Sequence, residues 1–430
     1  MENTLFRSTA LFEAMKRERS FRHEEEPLWL REARRGDAER LSGLVWPTVK
    51  NDEWKYTNLS LLAKKYFKPV RHLHEGVPAR YKDFFIPGGI NLVFVNGLFS
   101  EALSFLDHPV PGLVALNAGE ALDSIELLKG RIFELTRNDS DIFLSLNRVL
   151  FRDILYLEVE KGVKIKEPVH IIHLFDGEIE RPGIFARTFL KVSENAGITL
   201  LETHVALKEG EYFSNPVTEV LLEAGASCEF VQAHQHAADG FHVGSTRIWQ
   251  AKDSRCRSFV YTSGARIFRN NLNVLLQGEG AEAAVNGLHA LKGDRHADSH
   301  TFVEHIAPNA RSNQLYKCVV DEKAHSVFNG KILVRREAQL TNSYQLNKNL
   351  LLSSECKVDT KPQLEIFADD VKCSHGATIG QLSEDELFYL ETRGLNREDA
   401  SRMLIRGFID DVVGQVVHPD VRARVAAFLK

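Results

Sequence analysis

Hydrophobic positions change their spacing three times along the chain. Near the start they recur every three or four residues, at Leu28, Leu30, Ala33, Ala38, Leu41 and Leu44 amid dense charge, which is the spacing of amphipathic helix. Pro47 and Pro87 punctuate this first, mostly helical part. At Ile90 the texture shifts to a short β-rich run, Ile-Asn-Leu-Val-Phe-Val, that ends in the turn pair Asn96-Gly97. A further helix is expected over about Asp139 to Phe151. From Leu155 to about Thr378 helical periodicity disappears, leaving short runs rich in Val, Ile, Leu, Phe and Thr between small and charged residues.

Turns within that β region resemble one another: Ser193-Glu-Asn-Ala-Gly-Ile, Glu223-Ala-Gly-Ala-Ser-Cys, Lys252-Asp-Ser-Arg-Cys-Arg and Gly278-Glu-Gly-Ala-Glu-Ala. Anchored on Ala196, Gly225, Ser254 and Gly280, they are spaced by 29, 29 and 26 residues. A nearly fixed period of this length predicts a solenoid, in which each coil buries its apolar face only against its neighbours. A parallel β-helix fits best. A β-sandwich is the runner-up, but it would turn about every 8 to 12 residues and use hairpin dipeptides such as Asn-Gly, for which Asn329-Gly330 is insufficient support. Beyond Gly380 helical signals return. Ser383 with Glu386, and Asn396 with Asp399, are spaced to cap two helix starts, the first helix stopping near Gly394. Ala400, Met403, Leu404, Phe408, Val412 and Val413 form the apolar stripe of the second. The expected organisation is therefore a mostly helical region with a short β segment over 1–150, a β-helix core over 151–380 and a helical region over 381–430.

Composition narrows the function. The 430 residues carry a net charge of −5, which gives no electrostatic reason to expect nucleic acid or an anionic membrane as partner. Met1 to Phe21 has charges scattered where a signal peptide would be apolar, and no stretch approaches the roughly 20 apolar residues of a membrane span, so a soluble cytoplasmic protein is expected. Five cysteines, Cys228, Cys256, Cys318, Cys356 and Cys373, are odd in number and form no C-x-x-C pair, which fits free thiols in a reducing compartment. Asn329-Gly-Lys331 lacks the upstream glycine of a Walker A loop, so no nucleotide is expected on this chain, and no G-x-S-x-G elbow is present.

From His325 onward the chain carries Val327-Phe-Asn-Gly-Lys331, Ala338-Gln-Leu-Thr341, Asn349-Leu-Leu-Leu-Ser353, Asp359-Thr-Lys-Pro362, Leu364-Glu-Ile366 and Asp370-Val-Lys-Cys-Ser-His-Gly-Ala-Thr378. Upstream stand Trp54-Lys-Tyr-Thr57 and a stretch with His296, Asp298, Thr301, His305, Pro308 and Ser312. Together these resemble the SufB/SufD family of iron–sulfur cluster assembly proteins over most of the chain. Gly376 stands where SufB-like chains have an acid in Cys-x-His-Glu-Ala-Thr, and no cysteine precedes Cys228, so the likeness is to the SufD side. The resemblance implies a right-handed parallel β-helix between helical segments. It also implies pairing with a SufB-like subunit through the β-helix and docking of a SufC-like ATPase on the C-terminal helices, for which Glu386, Leu387, Tyr389, Leu390, Arg393, Leu404 and Phe408 are the candidates.

Alternation along a strand puts Cys373 and His375 on one face, and thiolate and imidazole both ligate iron. Two ligands do not complete a cluster site, so the expectation is a transient iron–sulfur cluster shared with the partner, the chain being a non-catalytic scaffold. His375 is the first candidate and Cys373 the second. Two other functions stay open: an adaptor that binds SufC without touching iron, and a β-helix polysaccharide-active enzyme using Asp298, Glu304 and Arg295. An exposed β-helix edge would also favour pairing of two isolated copies. His234, His236 and His242 have the same-face alternation of metal ligands, but the neighbouring Asp239-Gly240 marks an exposed, solvated turn. His296, His300 and His305 read as polar ladder residues. Cys228, Cys256, Cys318 and Cys356 are expected to pack in the core, a sulfur-transfer path being the alternative.

Overall fold

The computed structural model describes residues 9–13, 26–73, 76–105, 109–117, 128–130, 132–136 and 141–429. Its centre is a parallel β-solenoid of about 8 turns. One sheet runs from Ile154–Val159 to Lys357–Ile366, the second from Ile90–Val95 to Lys372–Gly380, and each coil contributes a strand to both. Register is regular: Ser227 lies over Gly197, Arg255 over Ser227, Glu282 over Arg255, Arg311 over Glu282, Asn342 over Arg311 and Lys372 over Asn342. Each coil thus adds between 27 and 31 residues. The expected solenoid is the fold found, and the sandwich is excluded because all these pairings are parallel.

The repeated turns have a backbone cause. Asn195, Gly225, Asp253, Gly280 and Asn309 occupy successive coils and all have positive φ, between 54° and 69°. Gly, Asn and Asp visit this left-handed region at low cost and fill these five positions, whereas on the following coil Leu340 takes it at φ 60°. The sequence anchors mixed two positions: Gly225 and Gly280 are the left-handed residues, whereas Ala196 and Ser254 follow theirs. At Gly225 a Cβ would lie 2.2 Å from Asn195 Oδ1, so stacked turns demand glycine there for space as well.

Three apolar layers follow from strand alternation. Inward residues such as Leu200, Phe230, Val285 and Ile332 fill the solenoid. Outward residues of the first sheet, including Phe189, Phe213 and Phe241, lie under N-terminal segments and the helix Ile142–Leu150. Outward residues of the second sheet, including Val231, Phe259 and Leu288, lie under Tyr81, Ile86 and the C-terminal helices. The helix Leu28–Gly43 buries Leu30, Ala38 and Leu41 as its spacing predicts, while Leu28 remains 64% exposed. Asp141 caps the helix Ile142–Leu150 by accepting from Phe143 and Leu144; of the helix expected from Asp139, the first residues lie outside those described.

Charge fastens the N-terminal layer. Arg187 and Glu219 form an ion pair with each side chain 1% exposed, and Arg148 meets Asp37 at 2.7 Å. Such pairs add little net stability, but removing one partner strands a buried charge at a cost of about 3–5 kcal/mol.

The two ends of the solenoid differ. At the start, antiparallel strands Leu98–Phe105 and Leu113–Asn117 flank the two sheets. At the finish, among the described residues, Lys357–Ile366 and Lys372–Gly380 pair on one side only.

Candidate site on the last coil

Both candidate ligands sit on that unpaired edge. Cys373 stacks on Ser343, and His375 on Gln345. His375 is exposed and Cys373 half-buried against the interior core. Burial pushes the Cys373 thiol up, opposed by a hydrogen bond with the Ser343 backbone. The thiolate is the ligating form, so iron binding there must displace the proton.

Following these positions back through the coils exposes a graded interior. The His375 line runs through Phe230, Ser258, Val285, Gln314 and Gln345. Apolar early apart from Ser258, it becomes polar in the last three coils: Gln345 donates to Gln314 at 3.2 Å, and Thr301 to Gln314 at 2.9 Å. The Cys373 line runs through Cys228, Cys256, Ala283, Ser312 and Ser343. Ser312 and Ser343 hydroxyls meet at 2.7 Å, and His305 Nε2 lies 2.8 Å from Ser312 Oγ. Three of the five cysteines therefore share one column, which only the 27- to 31-residue register reveals. Burial raises the Cys228 thiol well above its ordinary value and Cys256 to about 12, so both are protonated, packed thiols at neutral pH. Cys318 is fully buried, while Cys356 is only half-buried.

Beside the last coil stand the helices Glu384–Thr392 and Arg397–Val413. Their starts are capped as the spacing predicts, Ser383 accepting from Glu386 N and Asn396 from Asp399 N at 2.8 Å, and Gly394 has φ 95° after the first helix. Lys317, 4% exposed, anchors the second helix by its ammonium to Asp411 at 2.6 Å and to the Phe408 carbonyl at 2.8 Å. The apolar stripe differs from the expected one. Ala400, Ile409, Val412 and Val413 face inward, whereas Met403 is 59% exposed. Of the docking candidates, Leu387 is buried and holds its helix in place. Leu390, Leu404 and Phe408 line a groove with Glu386, Ile379 and Leu382. Tyr389 is exposed, with Arg393 5.2 Å above its ring, and Phe388 beside it is 66% exposed.

The carboxylates considered for an enzyme do not converge. Asp298 binds Arg269 at 2.7 Å and His300 at 3.1 Å. Burial would raise its pKa, but the Arg269 and His300 charges prevail and hold it well below the carboxylate range. Glu304 is engaged by Arg335 at 2.6 Å, and Arg295 reaches Ser263 at 3.3 Å.

What sequence reasoning missed is that two of the family-like stretches form one clasp. Thr57 hydrogen-bonds Asp298, 241 positions away, and its hydroxyl lies 2.9 Å from His296 Nε2. Arg269 lies 4.4 Å over the Trp54 ring and donates to the Glu53 carbonyl at 2.8 Å. The polar ladder expected of His296 and His300 is thus also the seat of the N-terminal segment. His234, His236 and His242 require a correction: they are not in a solvated turn but buried in the solenoid interior, because His234 and His242 take the inward positions of their strands.

Known proteins are similar to this chain in sequence. Residues 175–408 match the family described as SUF system FeS cluster assembly, SufBD core domain, and the chain belongs to that family. Over 404 residues it is 34% identical to an iron–sulfur cluster assembly SufBD family protein of Synechocystis, covering 91% of this chain and 88% of that protein. To SufD of Escherichia coli it is 30% identical over 384 residues, 89% of this chain and 88% of that one. To SufB of Bacillus subtilis the identity is 23% over 403 residues, 90% and 86% of the two chains. Within the family the chain is most like SufD. Among the described residues no helix is long and apolar enough to cross a membrane.

Proposed function

We propose that this chain is a non-catalytic scaffold subunit of iron–sulfur cluster assembly, working in a reducing compartment. It pairs with a SufB-like subunit across its last coil and offers His375, with Cys373 beside it, to a nascent cluster completed by that partner. The cluster is cargo, held transiently between subunits. The observation that carries this reading is the open edge. Among the described residues Lys372–Gly380 pairs on one side only, its imidazole is exposed, and Phe367 and Ile379 stand 60% and 52% exposed around it. An unpaired strand flanked by apolar side chains favours addition of another chain's strand or face. The groove beside Leu390, Leu404 and Phe408, with exposed Phe388, Tyr389 and Met403, suits a SufC-like ATPase that supplies the nucleotide chemistry.

An adaptor that never contacts iron is the reading to beat. The test is co-expression with SufB-like and SufC-like partners, followed by anaerobic iron and sulfide analysis of wild type and His375→Ala. A complex that forms in both cases but holds its cluster only in the wild type supports the scaffold. Equal cluster content would leave the adaptor. Against the enzyme reading, Asp298 and Glu304 are each engaged by an arginine.

A further inference from the structure

One corner of the solenoid interior is lined by imidazoles. His173, His204 and His234 stack in register on successive coils of the second sheet, with ring centroids 4.4 and 4.7 Å apart. His242, on the first sheet, reaches the same corner and lies edge-on to His234 at 4.9 Å. His236 joins from the bend between the sheets, 4.5 Å from His242. All five are buried, none more than 7% exposed.

Stacking alone does not account for them. Both ring nitrogens of His234 and of His242, and Nε2 of His204 and His236, are buried with no hydrogen-bond partner. The same fold shows how a structural interior imidazole is satisfied. His289, on the same line two coils beyond His234, has Ser326 at Nδ1 and Ser299 at Nε2, both at 2.8 Å. Burying unpaired polar nitrogens is costly, and native interiors avoid it unless something absent from the chain pairs with them. One nitrogen each of His204, His234 and His242 lies within 4.8 Å of the other two. A tetrahedral ion with bonds of about 2.1 Å needs donors about 3.4 Å apart, within reach of small side-chain rotations.

We propose that His204, His234 and His242 bind one divalent first-row transition-metal ion, with His236 as a fourth nitrogen donor. Tyr212 donates or accepts at His236 Nδ1, 2.7 Å away, leaving Nε2 free and the ring oriented, as outer-shell partners of ligating histidines do. Desolvation keeps the set neutral, pushing His204, His234 and His242 well below the ordinary imidazole range and His236 to about 3, and neutral imidazole is the ligating form. An all-imidazole donor set suits zinc, iron, copper or nickel; calcium and magnesium demand oxygen. The site is separate from the last coil, and its enclosure implies loading during folding.

The 430-residue chain is unfolded with a chelator and refolded with Co2+, with Zn2+ or without metal, then desalted. Retention of one cobalt per chain, with the strong visible absorption of tetrahedral cobalt and a higher thermal midpoint, is the expected result. His242→Phe and His234→Gln should each lose the band while keeping the wild-type far-ultraviolet circular dichroism, and His375→Ala should keep it. Wild type that retains no cobalt, or variants that retain the same band, would overturn the site. Should the variants misfold, X-ray absorption of the wild-type cobalt protein decides: a nitrogen-only shell is expected, and sulfur in it would refute the assignment.

Discussion

The middle coils and the last coil are built from the same kind of strand and meet opposite fates. Strand Ser227–Gln235 has neighbours on both sides, and its inward residues Phe230 and His234 are each 1% exposed. Strand Lys372–Gly380 has one neighbour among the described residues, and every residue on it except Cys373 and Gly376 is exposed. A solenoid buries a coil only by adding the next, so the coil that ends the stack keeps an unsatisfied edge. Stability therefore resides in the middle, and the exposed pairing edge lies at the end.

The sharpest way to break this contrast is to strand a charge under the middle coils. Glu219→Ala leaves Arg187 buried and unpaired, and a loss of about 3–5 kcal/mol is expected in equilibrium urea unfolding. Acid should attack the interior next. Burial holds His289 and His305 at about 4, below the ordinary 6.5, so the unfolded chain takes up these protons first. Their contribution is complete above about pH 6.5 and falls as pH drops toward 4, by about 1.4 kcal/mol per histidine per pH unit, measurable as a falling urea midpoint. Gly225→Ala tests the turn column: a side chain forced into the left-handed region should cost about 1–2 kcal/mol. The last coil should behave otherwise. Ile379→Ser and Phe367→Ser should shift unfolding of the isolated chain by less than about 0.5 kcal/mol, yet weaken co-purification with a SufB-like partner. A large stability loss from either would mean that the edge is already structural.

Much of this architecture was legible in the residue pattern. A coil must return to the same height with a left-handed residue, so Asn195, Gly225, Asp253 and Gly280 repeat visibly, and the helix caps Ser383 and Asn396 are local by nature. Strand parity likewise put Cys373 and His375 on one face. The histidine corner was misread because its turn-like neighbours, Asp239 and Gly240, say nothing about what the adjoining strand ends face.

By itself, then, the chain determined the elements, the period and the facing of residues along each strand, because these depend on backbone preferences and spacing over a few residues. Only the tertiary structure decided what meets across coils and layers. Thr57 found Asp298, Cys228 and Cys256 fell into line with Cys373, and four imidazoles from two sheets met in one corner. Coil lengths of 27 to 31 residues vary enough that register cannot be counted along the chain. It is set by the parallel hydrogen bonds that stack one coil upon the next.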